Sequence, residues 1–200
     1  MSSSTQERTV QSESTLHLNQ RGHIIQEANT LRNIPLGLPD DARLELSKGL
    51  NQLLADTMMI QHMYKKHHWQ VAGHTFYQLH LLFDKHSDEQ LMLIDSLAER
   101  IQTLGAVAIG MPQDVVETTK IPSPPKGVEE VPVMIGRLLE AHEIILKEAR
   151  ELGKRAEELN DLRTNDLIAS EILAKNELQV WFVGEHIVET PAVLAHDGAK

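Results

Sequence analysis

Four side chains of types that bind metal ions recur along one stretch of the chain with helical spacing. They are His80, Asp84, Asp95 and Glu99, and at 100° per residue they fall within roughly 100° of arc on an α-helix. The stripe runs beside the apolar stripe of the same helix, so its members are expected to be half-buried. A half-buried carboxylate or imidazole needs a polar partner, and a divalent cation is a suitable one. The alternative interpretation is that these four residues form an ordinary solvated edge of the helix and bind no metal.

The distances along this helix exclude a metal site built by one copy of it. His80 and Glu99 are 19 residues apart, which on a straight helix is about 28 Å. Within each pair, His80 with Asp84 and Asp95 with Glu99, the separation is four residues, so each pair shares a face and forms half of a site. If two copies cross antiparallel about a two-fold axis, the first pair of each copy meets the second pair of the other. The spacing therefore predicts a homodimer with metal sites in its interface.

The composition limits which ligands and which kinds of protein are possible. The 200 residues include 11 His and no Cys, so disulfides and thiolate sites are excluded and only nitrogen and oxygen ligands remain. The motif Glu-x-x-His does not occur, which excludes the di-iron site that uses this motif twice within one bundle. An excess of 29 Asp and Glu over 19 Lys and Arg gives a net charge of −10 and disfavours nonspecific nucleic-acid binding.

Apolar side chains at three- and four-residue spacing predict the helices that carry these residues. Four long helices are expected, with approximate bounds 40–71, 75–105, 132–159 and 164–189. Thr75 and Gln78 have the spacing of a capping box at the start of the second helix. A proline-rich crossover over 106–131, with a short helix over 113–119, joins the second and third helices.

This pattern predicts an all-α fold, a ferritin-like four-helix bundle with a long crossover between helices two and three. The bundle is expected over residues 41–190, with a flexible N-terminal tail over 1–40 and a C-terminal tail over 191–200. No apolar run approaches the ~20 residues that cross a bilayer, and the N-terminal residues lack the features of a signal peptide. We therefore expect a cytoplasmic protein that does not bind membranes.

One motif in the first two helices closely resembles that of the Dps family, the DNA-binding proteins from starved cells within the ferritin superfamily. The motif is His-Trp, a second His twelve residues after the first, Asp four residues later, and Asp-x-x-x-Glu-Arg eleven residues after that. In this chain its members are His68-Trp69, His80, Asp84, Asp95 and Glu99-Arg100. The resemblance extends over roughly residues 40–190 and leaves the N-terminal tail uncovered.

The resemblance implies a di-iron ferroxidase centre between two subunits. His68, His80 and Asp84 would come from one subunit, and Asp95 and Glu99 from its two-fold mate, with Glu99 bridging two irons. The family forms hollow dodecamers built from such dimers, oxidises Fe(II) with hydrogen peroxide or dioxygen, and stores the ferric mineral inside. Imidazole and carboxylate ligands suit both oxidation states of iron. Trp69 is interpreted either as an interface aromatic or as a one-electron relay.

Other residues are assigned by further hypotheses. His62 or His186 would add a nitrogen ligand to the centre and raise its affinity for zinc, against the plainer interpretation of solvated or hydrogen-bonded histidines. The resemblance also implies acidic iron-entry pores between the third and fourth helices, where the available carboxylates are Glu157, Glu158, Asp161 and Asp166.

DNA binding is expected to be weak or absent, although nucleoid association is compatible with the family. Members that compact DNA often use lysine-rich tails, which neutralise phosphates. Residues 1–40 contain three Arg and no Lys, and the last ten residues contain one Lys. The leading interpretation is an iron-storing ferroxidase that protects against oxidative stress. The alternative is a structural DNA-binding Dps protein with weak or vestigial ferroxidase activity.

Overall fold

The computed structural model describes residues 20–189, and within that range the chain consists of helices and loops without strands. The helices, in order, are α1 (Asp40–Gln70), α2 (Phe76–Thr103), α3 (Pro112–Thr118), α4 (Val131–Glu158), α5 (Leu162–Leu167), a π-helical segment (Ile168–Leu173) and α6 (Ala174–Gly184). The last three follow one another without an intervening loop and form the fourth long helix. The predicted all-α four-helix bundle is confirmed, with α3 in the crossover. The predicted tails over 1–40 and 191–200 lie outside the described residues, except for 20–40.

The bundle is held by the apolar stripes of its four long helices. α1 packs against α2 and α4, and α4 packs against α5, the π-helical segment and α6. All four long helices contribute fully or almost fully buried side chains to one core, among them Leu46, Leu50, Leu53, Leu54, Ile60, Leu79, Phe83, Leu97, Ile101, Ile135, Leu138, Ile145, Ile168, Ile172 and Val183. Burial of this apolar area fixes which face of each helix turns outward, and so positions the polar residues beside each stripe.

Two details of the helix ends differ from the sequence prediction. The capping box at Thr75 is wrong, since the Thr75 side chain makes no capping hydrogen bond. The turn is closed by backbone bonds instead, from the Phe76 N–H to the Gly73 carbonyl and from the Leu79 N–H to the Thr75 carbonyl. The fourth helix ends at Gly184 rather than near Glu189, and it contains a π-helical segment for which the sequence pattern has no signal.

Polar side chains on α1 hold the crossover in place. Asn51 donates to the Val107 carbonyl and accepts from the Ile109 N–H. One turn further on, the buried Asp56 accepts from the Thr119 hydroxyl and the Lys120 N–H. Since these bonds satisfy backbone groups that the crossover cannot satisfy itself, the long connection lies against the bundle rather than apart from it.

The residues before α1 also contact the bundle. The Arg32 N–H donates to the Gly105 carbonyl over 2.8 Å, and the Gln26 amide donates to the same oxygen over 2.9 Å. Gly105 has φ +87°, and a Cβ there would lie 2.8 Å from the Arg32 carbonyl oxygen, so glycine is required on both counts. Contacts with the bundle thus begin before the predicted boundary at residue 41.

Among the described helices, not one combines the length and the apolar character that crossing a membrane would need.

Candidate metal centre

His68 and His80 lie together where α1 ends and α2 begins. A tight turn over residues 71–75, with Gly73 at φ +96°, brings the two helices together antiparallel. The two imidazole rings stack with their centroids 3.8 Å apart and their planes 19° from parallel. The His68 side chain is only 12% exposed, so it lies in a shallow recess rather than free in solvent.

The two histidines hold each other through reciprocal hydrogen bonds. His68 Nδ1 lies 2.7 Å from the His80 carbonyl oxygen, and His80 Nδ1 lies 2.9 Å from the His68 carbonyl oxygen. A carbonyl oxygen only accepts, so Nδ1 of each ring carries the proton and donates. The lone pair of each neutral ring is therefore on Nε2, the arrangement typical of a histidine that binds metal through Nε2 and is oriented by a backbone carbonyl.

Asp84 lies one turn after His80 and close to both rings. Its Oδ1 is 3.8 Å from His68 Nδ1, and it accepts a hydrogen bond from the Lys65 ammonium group of α1. The hydrogen bond from Lys65 lowers the pKa of Asp84 below its ordinary value, so the carboxylate is ionised at neutral pH. His68 and His80 are thus ordered by each other, and Lys65 holds Asp84 beside them. We call these three residues, His68, His80 and Asp84, the half-site.

Asp95 and Glu99 lie far from this half-site on the same helix. Eleven residues separate Asp84 from Asp95, which is about 16 Å along α2. Both side chains are exposed, and neither has a hydrogen-bond or ion-pair partner within residues 20–189. Within that same range, no group of three His, Asp or Glu side chains is close enough to hold a metal ion. The described part of one chain places His68, His80 and Asp84 near one another without closing them into a metal site, and Asp95 and Glu99 lie apart from them.

An apolar surface shares the outer face of α2 with these carboxylates. Trp69, which follows His68, is 71% exposed. We call the α2 surface the exposed large apolar side chains Trp69, Phe76, Tyr77, Leu81, Leu91 and Met92. At 100° per residue, Tyr77, Leu81, Leu91 and Met92 fall within about 100° of arc together with Asp84, Asp95 and Glu99. Exposed large apolar side chains grouped on one side of a helix are typical of a surface that another protein covers.

The two additional histidines lie apart from the half-site. His62 is exposed on α1, with Nδ1 2.6 Å from the Met58 carbonyl oxygen, which leaves its Nε2 free. His186 is exposed just after the end of α6. Neither contacts His68, His80 or Asp84 within the described part of the chain, so any contribution to the centre would have to come across an interface.

The acidic residues between α4 and α5 differ in how they are used. Glu157 is exposed, Glu158 pairs with Arg155, and Asp166 pairs with Arg163. Asp161 is only 2% exposed and accepts two bonds of 2.7 Å from Arg100 and one of 3.0 Å from the Thr164 N–H. Because Asp161 is the residue just before α5, its carboxylate caps that helix. Because its side chain faces inward, the carboxylate also neutralises Arg100. The exposed carboxylates that can line a channel are the other three.

A second set of polar residues was missed by the sequence analysis. Tyr64, His86, Gln90, His142, Asn176 and Gln179 are each at most 1% exposed and form a polar layer through the middle of the bundle. The available signal was that His86 and His142 lie on the helix faces that carry the apolar residues. A single histidine on an apolar helix face is common, so this signal does not by itself indicate a polar network. Tyr64 lies on the buried apolar face of α1, where its spacing is that of a core residue.

Comparisons with a protein family, with solved structures and with a curated relative give consistent results. The ferritin-like domain family matches residues 47–193. The solved structure of DpsC from Streptomyces coelicolor superposes with a TM-score of 0.85 and 55% identity, over 86% of this chain and 100% of that one. A Vibrio cholerae Dps protein, described as a ferritin-like diiron-carboxylate protein, superposes with a TM-score of 0.74 and 25% identity, over 80% of this chain and 100% of its own. The nutrient stress-induced DNA-binding protein of a Synechococcus strain is 28% identical, over 86% of this chain and 97% of its own.

Proposed function

Since the chain belongs to the ferritin-like family and, within it, to the Dps proteins, we propose that it oxidises Fe(II) and stores the ferric product. The observation that carries this proposal is the reciprocal bonding of His68 and His80. It leaves Nε2 of each ring without a hydrogen atom and able to bind a cation, with the Asp84 carboxylate beside the His68 ring. Such a half-site is built to receive a cation, and it needs further ligands from elsewhere.

The missing ligands are proposed to come from a second copy of the chain. In an antiparallel crossing of two α2 helices, His80 and Asp84 of one copy meet Asp95 and Glu99 of the other. The centre of such a crossing falls midway between the two pairs, near residues 89 and 90. Leu91 and Met92, which are 55% and 61% exposed, would then be buried beside the two-fold axis. The α2 surface and the two half-sites therefore favour the same dimer, with two equivalent centres.

The donor set of each proposed centre fits iron. His68 and His80 supply imidazole nitrogens, and Asp84, Asp95 and Glu99 supply carboxylate oxygens, which together accommodate Fe(II) and the harder Fe(III). Two Fe(II) substrate ions give one electron each to hydrogen peroxide, which takes up two protons and leaves as two water molecules. Dioxygen is the alternative oxidant. Imidazole and carboxylate ligands also bind zinc, so we propose Zn²⁺ as an inhibitor that competes for the same centre.

Three further residues have proposed roles at this interface. Trp69 lies beside His68 and is exposed, so it would be covered by the second copy, either as a packing residue or as a one-electron relay. His62 and His186 remain proposed additional ligands, reached across subunit interfaces, because each is exposed in one chain.

Storage requires a closed shell with an entrance for cations. We propose a hollow homo-dodecamer built from the dimers described above, acting in the cytoplasm during oxidative stress. Glu157, Glu158 and Asp166 lie at one end of the bundle and would line an entry channel where several chains meet, concentrating Fe(II) by their charge. Asp161 would act beside them as a structural residue, since Arg100 neutralises it.

The names of several relatives raise DNA binding as a second candidate function. The Synechococcus relative is named a DNA-binding protein, and a Halobacterium salinarum relative a DNA protection protein. In this chain many exposed cations pair with carboxylates, for example Arg150 with Glu177 and Lys147 with Glu143. With a net charge of −10, few positive charges are available for phosphates. We propose that DNA binding is weak or absent near neutral pH, and a plasmid shifted in gels at physiological salt would contradict this.

The direct test of the ferroxidase proposal is iron oxidation by the purified protein. The protein is loaded anaerobically with Fe(II), then mixed with hydrogen peroxide or dioxygen, and formation of Fe(III) is followed by absorbance. Rapid oxidation is expected for the unmodified protein and for Glu143→Ala, an exposed α4 variant far from the centre. His80→Ala and Glu99→Ala are expected to oxidise iron no faster than buffer. Unchanged rates in both of these variants would overturn the proposed centre.

A further inference from the structure

The polar layer inside the bundle is a connected network rather than a set of isolated polar groups. Its members are Tyr64 of α1, His86 and Gln90 of α2, His142 of α4, and Asn176 and Gln179 of α6. Gln90 donates to Asn176 Oδ1 and to Gln179 Oε1, and Gln179 donates to the half-buried Glu89. α6 follows the π-helical segment directly, and such segments are frequent at functional sites because they shift the register of the inward-facing residues.

At the centre of the layer is a short hydrogen bond between Tyr64 and His142. The Tyr64 hydroxyl oxygen lies 2.5 Å from His142 Nε2, and the His142 Nδ1 lies 2.8 Å from Asn176 Oδ1. Asn176 uses its amide N–H to donate to the Ile172 carbonyl, so its oxygen faces His142 and accepts. His142 therefore carries its proton on Nδ1, and its Nε2 accepts from the Tyr64 hydroxyl.

In the resting pair the proton is on the Tyr64 hydroxyl and His142 Nε2 carries none. Proton transfer from Tyr64 to His142 would reverse this arrangement. Burial lowers the pKa of His142 to about 3, and burial raises the pKa of Tyr64 well above its ordinary value. Both groups are consequently neutral at physiological pH, with the phenol protonated and the imidazole able to accept a proton. His86 Nδ1 lies 3.3 Å from the Tyr64 oxygen and donates to the lone pair that the His142 bond leaves available.

Tyr64 lies close to the candidate metal centre. It precedes His68 by four residues on α1, which is one helical turn or about 6 Å along the axis. Its ring centroid is 6.0 Å from that of Phe83, the residue before Asp84. A centre formed at His68 and Asp84 is therefore separated from the phenol ring by one turn of helix and one layer of aromatic packing.

We propose that Tyr64 is a redox-active residue that gives one electron to oxidising species formed at the intersubunit centre while its phenolic proton moves to His142 Nε2. The oxidant is of the hydroxyl-radical class, formed when a single Fe(II) ion reduces hydrogen peroxide, and its identity rests on the proposed ferroxidase function. The hydroxyl radical gains the electron and becomes hydroxide. Tyr64 becomes a neutral radical, and His142 becomes an imidazolium.

The network around the pair stabilises both products of this step. The imidazolium keeps its Nδ1 bond to the Asn176 oxygen, whose partial negative charge favours the positive ring. The radical oxygen keeps the bond from His86. Because the phenol is fully buried, the proton has no water to leave with, and His142 is the acceptor that makes loss of the electron possible. The protein would thus remove one-electron oxidants that escape the two-electron reaction.

The chain has only two tyrosines, which makes the test specific. Tyr77 is 68% exposed on α2. Tyr77→Phe keeps the ring that contributes to the α2 surface and removes only the hydroxyl, so it is the matched control for Tyr64→Phe. Protein carrying ring-deuterated tyrosine is loaded with Fe(II), mixed with hydrogen peroxide and frozen within milliseconds, and tyrosyl radical is measured by electron paramagnetic resonance. Fe(III) formation is measured in the same samples, and thermal unfolding of each variant checks that it is folded.

A tyrosyl radical is expected in the unmodified protein and in Tyr77→Phe, and its loss is expected in Tyr64→Phe. His142→Gln retains an oxygen that can accept from Tyr64 but cannot take the proton, so its radical yield is expected to fall at least several-fold. If iron is oxidised and the radical persists in Tyr64→Phe, the inference is overturned.

A second experiment separates failure of this inference from failure of the proposed function. Iron-free protein is oxidised by a photogenerated ruthenium(III) complex, which needs no metal centre. The yield of tyrosyl radical is expected to depend on Tyr64 and His142 as it does in the iron experiment. If it is observed while iron is not oxidised by the unmodified protein, the ferroxidase proposal fails and the redox pair stands. A photochemical tyrosyl radical that comes only from Tyr77 would overturn the redox pair itself.

Discussion

His68 and His80 lie twelve residues apart and donate to each other's backbone carbonyl oxygen, over 2.7 Å and 2.9 Å. Each ring is thereby oriented by the helix that carries the other. This exchange fixes both imidazoles before any cation arrives, so little side-chain entropy remains to be lost when one binds. It also couples the turn between α1 and α2 to the proposed centre.

Because each proposed centre is shared between two chains, two inactive variants are predicted to restore ferroxidase activity when they form a mixed dimer. His80→Ala and Glu99→Ala inactivate different halves of each site. When the two variants are co-expressed with different tags and the mixed assemblies are purified, half of the randomly formed dimers contain one of each chain. Each such dimer has one intact site, so about a quarter of the sites should recover ferroxidase activity.

Co-expression of His80→Ala with Asp84→Ala is the matched control. Both changes lie in the same half-site, so no mixed dimer contains an intact centre and no activity should return. Equal activity in the two mixtures would show that the ligands do not come from different chains.

Lys65 is predicted to weaken cation binding, because its ammonium group bonds the Asp84 carboxylate. Both side chains are partly exposed, 34% and 41%, and an ion pair of this kind contributes about 0.2–1 kcal/mol. Lys65→Met should therefore bind Zn²⁺, a probe without redox chemistry, up to about five-fold more tightly in calorimetric titrations.

Lys66→Met controls for the loss of one positive charge. Lys66 bonds Gln70 and the Gly127 carbonyl instead of Asp84, so its removal should have a smaller effect. Weaker zinc binding in Lys65→Met than in Lys66→Met would mean that Lys65 orients Asp84 rather than competing for it.

The sequence was sufficient for the features that depend on periodicity. Apolar spacing predicted the four helices, the prolines of residues 106–131 predicted the crossover, and the four-residue spacing of His80 with Asp84 predicted that they share a face. Those features follow from backbone geometry, which is nearly the same in every helix. The contacts between helices depend on rotamers and on which residues meet across the bundle, and spacing carries no such information.

Asp161 shows that residue spacing does not predict contacts between residues far apart in the sequence. Its position just before a helix, with Thr164 three residues later, was an available N-cap signal. The prediction treated it as one of four equivalent acidic residues because a run of polar residues does not reveal that Arg100, 61 positions earlier, faces the same place. The Tyr64 and His142 bond was missed for the same reason, since 78 residues separate its partners.

Asp161 is predicted to be the acidic residue of this region that matters most for stability. Asp161→Ala removes the helix cap and leaves the Arg100 guanidinium, 12% exposed, without its counter-charge. Loss of one partner of a buried pair costs about 3–5 kcal/mol, so urea unfolding of the iron-free protein should show a loss near the lower end of that range. Asp166→Ala, with a 63% exposed side chain, should change stability by less than about 0.5 kcal/mol. Similar small effects of both substitutions would contradict the structural role of Asp161.

His142 is predicted to make the protein sensitive to acid. Burial lowers its pKa to about 3 in the folded chain, against 6.5 for an ordinary histidine. Between these values the unfolded chain binds a proton that the folded chain does not, so the free energy of unfolding must fall as the pH falls. At pH 4 the loss from this group is about 3 kcal/mol relative to pH 7.5.

The contribution of His142 can be isolated with His142→Gln, which keeps polar atoms in the layer but does not titrate. The variant should be less stable than the unmodified protein at pH 7.5, because glutamine does not reproduce both ring bonds. The other titrating groups are shared by both proteins and cancel in the comparison. The stability difference measured by urea unfolding should therefore shrink by about 3 kcal/mol between pH 7.5 and pH 4. A difference that stays constant over this range would mean that the pKa of His142 is the same in the folded and the unfolded chain, so that burial does not lower it.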